Sequence, residues 1–307
     1  MKILVIIVSY NFERWMDRCL GSLRLSEQPA DVMVIDNASQ DHTVQLIREH
    51  YPEVRLIQSP ENLGFGRANN LGMKVALAEG YDYVFLLNQD AWIDRNTLGT
   101  LASLCASHPQ YGILSPTHLT GSGNRLEHGF ACYARLNSLE ELTSVPCTAQ
   151  TPPVDLPFVN AAFWMIPVSV LRRVGGFCPL FYHYGEDVDY VNRLRRHGYR
   201  AGYTPAVFGC HDREHRQTDH KTWLRSERIY LLTEYANINR SFPRAFAYSV
   251  LASLKKSAQS FWTKKDARTG LSYIRIACQL LGCTGKVLRY RRINLQPETP
   301  HYIATES

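Results

Sequence analysis

The sequence predicts an α/β domain, a mostly parallel sheet flanked by helices, with a helical C-terminal extension. Two observations carry this. Short apolar runs alternate with segments of helical apolar spacing through the first ninety or so residues, the order that gives parallel strands joined by helical crossovers. Each run also ends in a polar cluster: "SYN", "DNAS", "NLGFGRANN" and "NQD". Ligands of open α/β sheets bind outside the carboxyl ends of the strands, so four polar ends facing one crevice mark a site.

Residues 3–8 read as the first strand. The opening "MKILVIIV" has the look of a signal peptide, but "SYN" follows at once with no small-residue cleavage site, and a buried parallel strand fits better. Trp15, Met16, Cys19, Leu20 and Leu23 recur at helical spacing. Residues 32–35 form a second strand, 41–50 a helix capped by Ser39 or Asp41, 54–57 a third strand, 68–78 a helix and 83–87 a fourth strand. The second half is less regular. Residues 117–156 are rich in turn formers and read as a variable excursion near the substrate. A strand over 158–166, a turn at "GGF", and helices over 187–197 and 221–238 follow. The division expected is 1–238 for the α/β domain and 239–307 for the extension.

Composition excludes some classes. The chain has 307 residues, 45% apolar and 20% charged, and a net charge of +6. Beyond residue 239 there are 12 Lys and Arg against 3 Asp and Glu, leaving 22 against 25 before it. The main body therefore lacks the charge of a nucleic-acid-binding surface, whereas the extension suits an anionic one. Eight scattered cysteines with no CxxC pair read as free thiols of a reducing cytoplasm. No apolar run reaches the roughly 20 residues that a membrane-spanning helix needs.

Four groups of residues carry chemistry. Asp90 ends a buried strand in "VFLLNQDAWI". A carboxylate there is costly unless it is paired or binds a cation, and Mg2+ or Mn2+ takes one or two carboxylates plus substrate phosphates. Capping the next residues is the simpler alternative. Asp36 ends the second strand, where a carboxylate accepts bonds from a ribose or base, or caps the following helix. Glu186, Asp187 and Asp189 crowd "YGEDVDYVNRLRRHG". One can act as a general base for a hydroxyl while its neighbour tunes it, Arg193 can pair with Asp189 at i,i+4, or the acids simply favour a helix N-terminus. "HDREH" at 211–215 matches the H-x-x-E-H pattern of some zinc peptidases, but it follows a strand-like stretch, not a helix. His211 alone is suited to share a metal with Asp90. No Walker-type loop and no G-x-S-x-G occur. "NLGFGRANN" is not G-x-G-x-x-G, because Asn69 replaces the last glycine. Gly64 and Gly66 allow close backbone approach, and Arg67 can reach a diphosphate.

In this order and spacing, "VIIVSYN", "VIDNAS", "NLGFGRANN", "LLNQDAWI", "VGGF", "YGEDVDYVNRLRRHGYR" and His211 resemble the inverting family 2 glycosyltransferases of GT-A fold, and within them the rhamnosyltransferase-like bacterial members. The likeness spans about two-thirds of the chain. It implies a GT-A (Rossmann-like) mixed sheet, a nucleotide-sugar donor and a divalent metal, Mg2+ or Mn2+. By position, Ser9, Tyr10 and Asn11 would border the donor nucleotide and Asp36 would hold its base or ribose. Asn62, Gly64, Arg67 and Asn88 would complete the donor-binding set. Asp90 would match the last carboxylate of the DxD-like triplet and His211 the histidine that completes the metal site. Asp187 would be the base, with Glu186 beside it. There are departures: the triplet is "NQD", "NAAFW" stands where a glycine-containing "GA" is common, and "GGFCP" replaces "GGFDE".

The expected activity is inverting transfer of a sugar, rhamnose first, from a dTDP- or UDP-linked donor to a hydroxyl of a cell-surface glycan or lipid-linked acceptor. The basic extension would either associate with the inner face of the plasma membrane or pack on the catalytic domain or a second subunit. A catalytically inactive nucleotide-sugar or glycan-binding protein is the alternative, and a zinc peptidase a third.

Overall fold

The computed structural model describes residues 1–143, 147–213, 219–263 and 265–303. Among these residues nine strands form one sheet: β1 (Ile3–Ser9), β2 (Asp31–Asp36), β3 (Arg55–Gln58), β4 (Tyr83–Asn88), β5 (Ala91–Ile93), β6 (Tyr111–Thr120), β7 (Val154–Leu156), β8 (Phe163–Pro167) and β9 (Arg200–His211). Their order is β3-β2-β1-β4-β8-β6-β9-β5, with β7 also on β9. The first four pair in parallel. β8 runs antiparallel to β4 and β6, whereas β6 and β9 are parallel. The sheet is thus mixed and mostly parallel at one end, as expected.

Its two faces explain the continuous apolar runs. Leu4 and Ile6 of β1 pack with Met33, Ile35 and Leu86 on one face. Ile3, Val5 and Ile7 pack with Val34 and Phe85 on the other. Helices cover both faces, so β1 is apolar throughout, as buried parallel strands are. Each such side chain contributes about 1.5–3 kcal/mol on burial.

β1 lies between β2 and β4, so the chain reverses its direction of progress across the sheet there. The gap above the ends of β1 and β4 is where such sheets bind ligands.

Three local expectations change. The helix of "NLGFGRANN" is Phe65–Ala78, so Asn69 and Asn70 are buried inside it and do not begin it. The late strand starts at Phe163, after a turn at 157–162. The turn-rich excursion begins inside β6, a ten-residue strand that the sequence does not announce and whose register against β9 shifts twice, once at Pro116/Thr117.

After β9 the chain is helical. A third apolar cluster joins Leu231 and Tyr235 of the helix His220–Ala236 to Val250, Tyr273, Ile276 and Val287 of the extension, and to Phe181 of the main body. Among the described residues, no helix is long and apolar enough to cross a membrane.

Candidate active site

The ends of β1, β2 and β4 are stitched together by polar side chains. Ser9 is fully buried, and its hydroxyl donates to Asp36 Oδ1 at 3.1 Å. The other Asp36 oxygen accepts from the Ser39 N–H at 3.1 Å. Asn11 adopts a left-handed backbone, φ 55°, which asparagine tolerates better than most residues. Its N–H donates to Ser39 Oγ and its Oδ1 accepts from the Gln40 N–H, both at 2.9 Å. Asp41 Oδ1 accepts from the Thr43 N–H at 3.1 Å, so Asp41, not Ser39, serves the helix Thr43–His50. Ser9 is thus sealed beneath the strand ends, whereas Asn11 ties the loops together at the surface. Tyr10, 45% exposed, presents its ring to solvent.

Across the gap, the Gln89 amide makes both bonds to the Tyr10 backbone: its Oε1 accepts from the N–H at 2.7 Å and its Nε2 donates to the carbonyl at 3.1 Å. Gln89 is the middle residue of "NQD". Sequence reading passes over it because its role is to splice two strand ends.

β5 pairs antiparallel with β9 so that Ala91 faces His211. That register brings His211 Nε2 to 3.3 Å from Asp90 Oδ1 and 3.4 Å from Asn88 Nδ2. His211 is buried and its Nδ1 has no hydrogen-bond partner among the described residues, while Asp90 is partly open. An imidazole nitrogen and a carboxylate oxygen at a half-open strand end are ligand types that Mg2+ or Mn2+ accepts. Among the described residues, no three His, Cys, Asp or Glu side chains form a closed metal cage. Of "HDREH", Glu214 and His215 lie outside the described residues. His211 ends a strand, and Asp212 accepts from Trp15 Nε1 at 3.0 Å.

The second wall comes from "NLGFGRANN". Asn37, buried beside Asp36, donates to the Gly64 carbonyl at 3.4 Å and accepts from the Leu63 N–H at 2.9 Å. Asn62 is exposed, and its Oδ1 accepts from the Gly64 N–H at 2.9 Å. Gly64 has φ 78°, and a side chain there would overlap the Tyr182 carbonyl oxygen. A Cβ at Gly66 would lie 2.9 Å from Phe177 Cβ and 3.7 Å from Glu186 Cβ. The glycines thus seat this helix against the segment that carries the acidic pair. Arg67 stands apart. It is exposed and borders a shallow hollow with Asn70, Leu71, Lys74, Pro179 and Tyr302, a placement that lends the expected diphosphate contact no support.

Glu186 and Asp187 open the helix Glu186–Arg196. Glu186 is 5% exposed and its Oε2 has no partner among the described residues. Loss of water, then the neighbouring Asp187 charge, pushes its pKa up to about 7. Asp187 is half-buried and accepts from the Val188 N–H at 2.8 Å. Burial pushes it up to about 6, against the pull of that hydrogen bond and of Arg213. Desolvation here outweighs the helix N-terminus, which favours the charged form. Asp189 is different. It is buried in an ion pair with Arg193 at 2.9 Å, and Arg193 also donates to the carbonyls of Val174 and Gly176. That pair is structural.

Tyr133 and Arg213 also flank Asp187. The Tyr133 hydroxyl is pushed up to about 12 by burial and by the charges of Glu127 and Asp187. No sequence signal singles out Tyr133, which lies in the irregular excursion, and Arg213 is met only inside "HDREH", where it is given no role.

The Glycosyl transferase family 2 model matches residues 4–175, and the Glycosyltransferase (GlcNAc) model residues 109–275. The N-acetylglucosaminyl-diphospho-decaprenol L-rhamnosyltransferase of Mycobacterium tuberculosis is 27% identical over 233 residues, 69% of this chain and 76% of that protein. Rhamnosyltransferase WbbL of Escherichia coli is 24% identical over 264 residues, 78% and 96% respectively. Among solved structures, the fold is similar to Staphylococcus aureus TarS 1-349 in complex with UDP-GlcNAc, with TM-score 0.56, 15% identity and coverage of 96% of this chain and 88% of that one. It is also similar to the mannosyltransferase PcManGT of Pyrobaculum calidifontis in complex with GDP-Man and Mn2+, with TM-score 0.57, 20% identity and coverage of 98% and 84%.

Proposed function

Because the chain belongs to glycosyltransferase family 2, we propose that this rhamnosyltransferase-like enzyme moves rhamnose from dTDP-rhamnose to a hydroxyl of a lipid-linked saccharide. The rhamnosyltransferase names of two relatives favour that sugar, and the name of one, a diphospho-decaprenol enzyme, favours that acceptor. The main observation in support is the acidic pair. Two adjacent carboxylates have pKa values raised toward neutrality, and the second remains accessible to substrate. A general base works best with a pKa near the working pH.

In this reading Asp187 accepts the proton of the acceptor hydroxyl as that oxygen attacks the anomeric carbon. The bond from that carbon to the diphosphate breaks, the diphosphate leaves with the electron pair, and a single displacement inverts configuration. Burial keeps the base's affinity for a proton high, and Glu186 beside it, raised by its own burial and by the Asp187 charge, stays protonated to higher pH. Tyr10 offers a ring face to the base of the donor, and Asp36 fixes the loop that borders the ribose. Asp90 and His211 would hold Mg2+ or Mn2+, whose charge, when bound, stabilises the departing diphosphate.

A binding screen of dTDP-rhamnose, UDP-hexoses and GDP-mannose, with and without Mn2+, tests this. Preferential, metal-enhanced binding of dTDP-rhamnose is expected. Preference for another donor would refute the rhamnose assignment, and binding of none would refute the donor site. The cytoplasmic face of the membrane, where lipid-linked glycans are built, is the proposed place of action.

A further inference from the structure

We propose that the outward face of the helix Ala267–Gly282 is a docking surface for an anionic lipid bilayer. The inward face of this helix is an ordinary one, with Tyr273, Ile276 and Leu280 buried in the C-terminal apolar cluster. The outward face is apolar too: Leu271 is 61%, Ile274 40% and Leu281 47% exposed. At helical spacing these three share one side, and the exposed Arg268 and Arg275 lie along its margin. A surface helix of a water-soluble fold carries polar residues on the side away from its core. One apolar on both sides has a second apolar medium to meet.

The preceding helix, Ala252–Trp262, repeats the pattern. Leu254 is 44% and Trp262 79% exposed, whereas its inward side is lined by serines. Ser253 donates to the Tyr273 carbonyl and Ser257 to the Gly270 carbonyl, each at 2.8 Å. Small hydroxyl residues between the helices and apolar ones outside is the arrangement of helices that associate in lipid. Neither helix is long and apolar enough to cross, so the pair would lie in the plane of the interface.

Charge selects the occupant. The extension carries 12 Lys and Arg against 3 Asp and Glu. Some face inward: Lys256 pairs with Glu227, and Arg291 donates to the Asn237 and Arg240 carbonyls. Others, including Lys255, Arg268, Arg275 and Arg289, are exposed. A second copy of this chain would set one basic face against another, whereas an anionic headgroup layer complements it. The inference deepens the reading of a lipid-linked acceptor, and it is measured without donor or acceptor, so its outcome is separate from that of the transferase reading.

The test is co-sedimentation of the full chain with vesicles of phosphatidylcholine alone or mixed with phosphatidylglycerol. Binding to the mixed vesicles, weakened by salt, is expected. Leu271→Glu/Ile274→Glu is expected to lower partitioning by about tenfold or more. Arg268→Gln/Arg275→Gln is expected to lower it on the order of fivefold per residue, on anionic vesicles only. Circular dichroism checks that each variant is folded, and an unfolded one is replaced by Leu281→Glu, for which the same loss is expected. The proposal is overturned if the wild type stays in the supernatant or if folded variants sediment like it. It is equally overturned if analytical ultracentrifugation finds a dimer that Leu271→Glu/Ile274→Glu converts to a monomer, which would make the face a self-interface.

Discussion

His211 Nε2 lies 3.3 Å from Asp90 Oδ1, held there by the antiparallel pairing that sets Ala91 opposite His211. The two residues lie 121 positions apart in the sequence, and the β5–β9 pairing, with the Asp212 N–H donating to the Asp90 carbonyl at 2.8 Å, brings them together. If they form the protein's share of a metal site, His211→Ala and Asp90→Asn should each weaken Mn2+ binding, read from the free-ion signal in electron paramagnetic resonance. Each should also lower transfer by about 10²–10³-fold. Unchanged Mn2+ affinity in both variants would reduce the contact to a packing feature.

The acidic pair sets a pH dependence. Asp187 is pushed up to about 6 and works as a base only when ionised. The kcat/KM for transfer is therefore expected to rise with pH through about 6 and to level off above it. Glu186, pushed up to about 7, interacts with it, so the apparent value belongs to the pair. In Glu186→Gln the rise should stay close to 6, because Glu186, with the higher value, is still protonated while Asp187 ionises. A rise displaced by a unit or more would contradict this order of ionisation.

The same shifts have a stability consequence of definite sign. A carboxyl whose folded pKa is raised is neutral in the native state where the unfolded chain has already ionised, so stability falls as pH rises from the unfolded value, about 4.5, through the folded value, about 7. Glu186→Gln should thus raise the melting temperature at pH 8, by on the order of 2 kcal/mol of stability, and have little effect near pH 4. A loss of stability at pH 8 would mean that Glu186 has a partner that the structure does not give it.

Gly64 carries a purely structural prediction. Its φ is 78° and a side chain would meet the Tyr182 carbonyl. Gly64→Ala is expected to cost roughly 2–4 kcal/mol, read by denaturant melting, through backbone strain and overlap together. A near-neutral result would show that the loop is free to move away from 181–185.

The first four strands and their polar ends were legible in the sequence because parallel strands buried on both faces are continuous apolar runs. β6 was not. Its "SPTH" places Pro116 and three polar residues inside a strand, and their polarity is answered only in three dimensions. Ser115 Oγ lies 2.7 Å from His118 Nε2, and Thr117 donates to the Thr204 carbonyl at 3.3 Å. At the site, residue types announced Asp90 and the Glu186–Asp187 pair, but not their environment. That Glu186 is sealed while Asp187 stays reachable depends on how Gly66 and Phe177 pack around the helix start. The roles of Gln89 and Asn37 are bonds to the backbone of loop residues distant in sequence, Tyr10 and Leu63–Gly64, which no local pattern encodes.

The most direct test of the base assignment is Asp187→Asn, with dTDP-rhamnose binding and transfer measured on the same preparation. The expected result is donor affinity within about twofold of the wild type and transfer reduced by about 10³-fold or more. Transfer at the wild-type rate with the donor bound as before would contradict it.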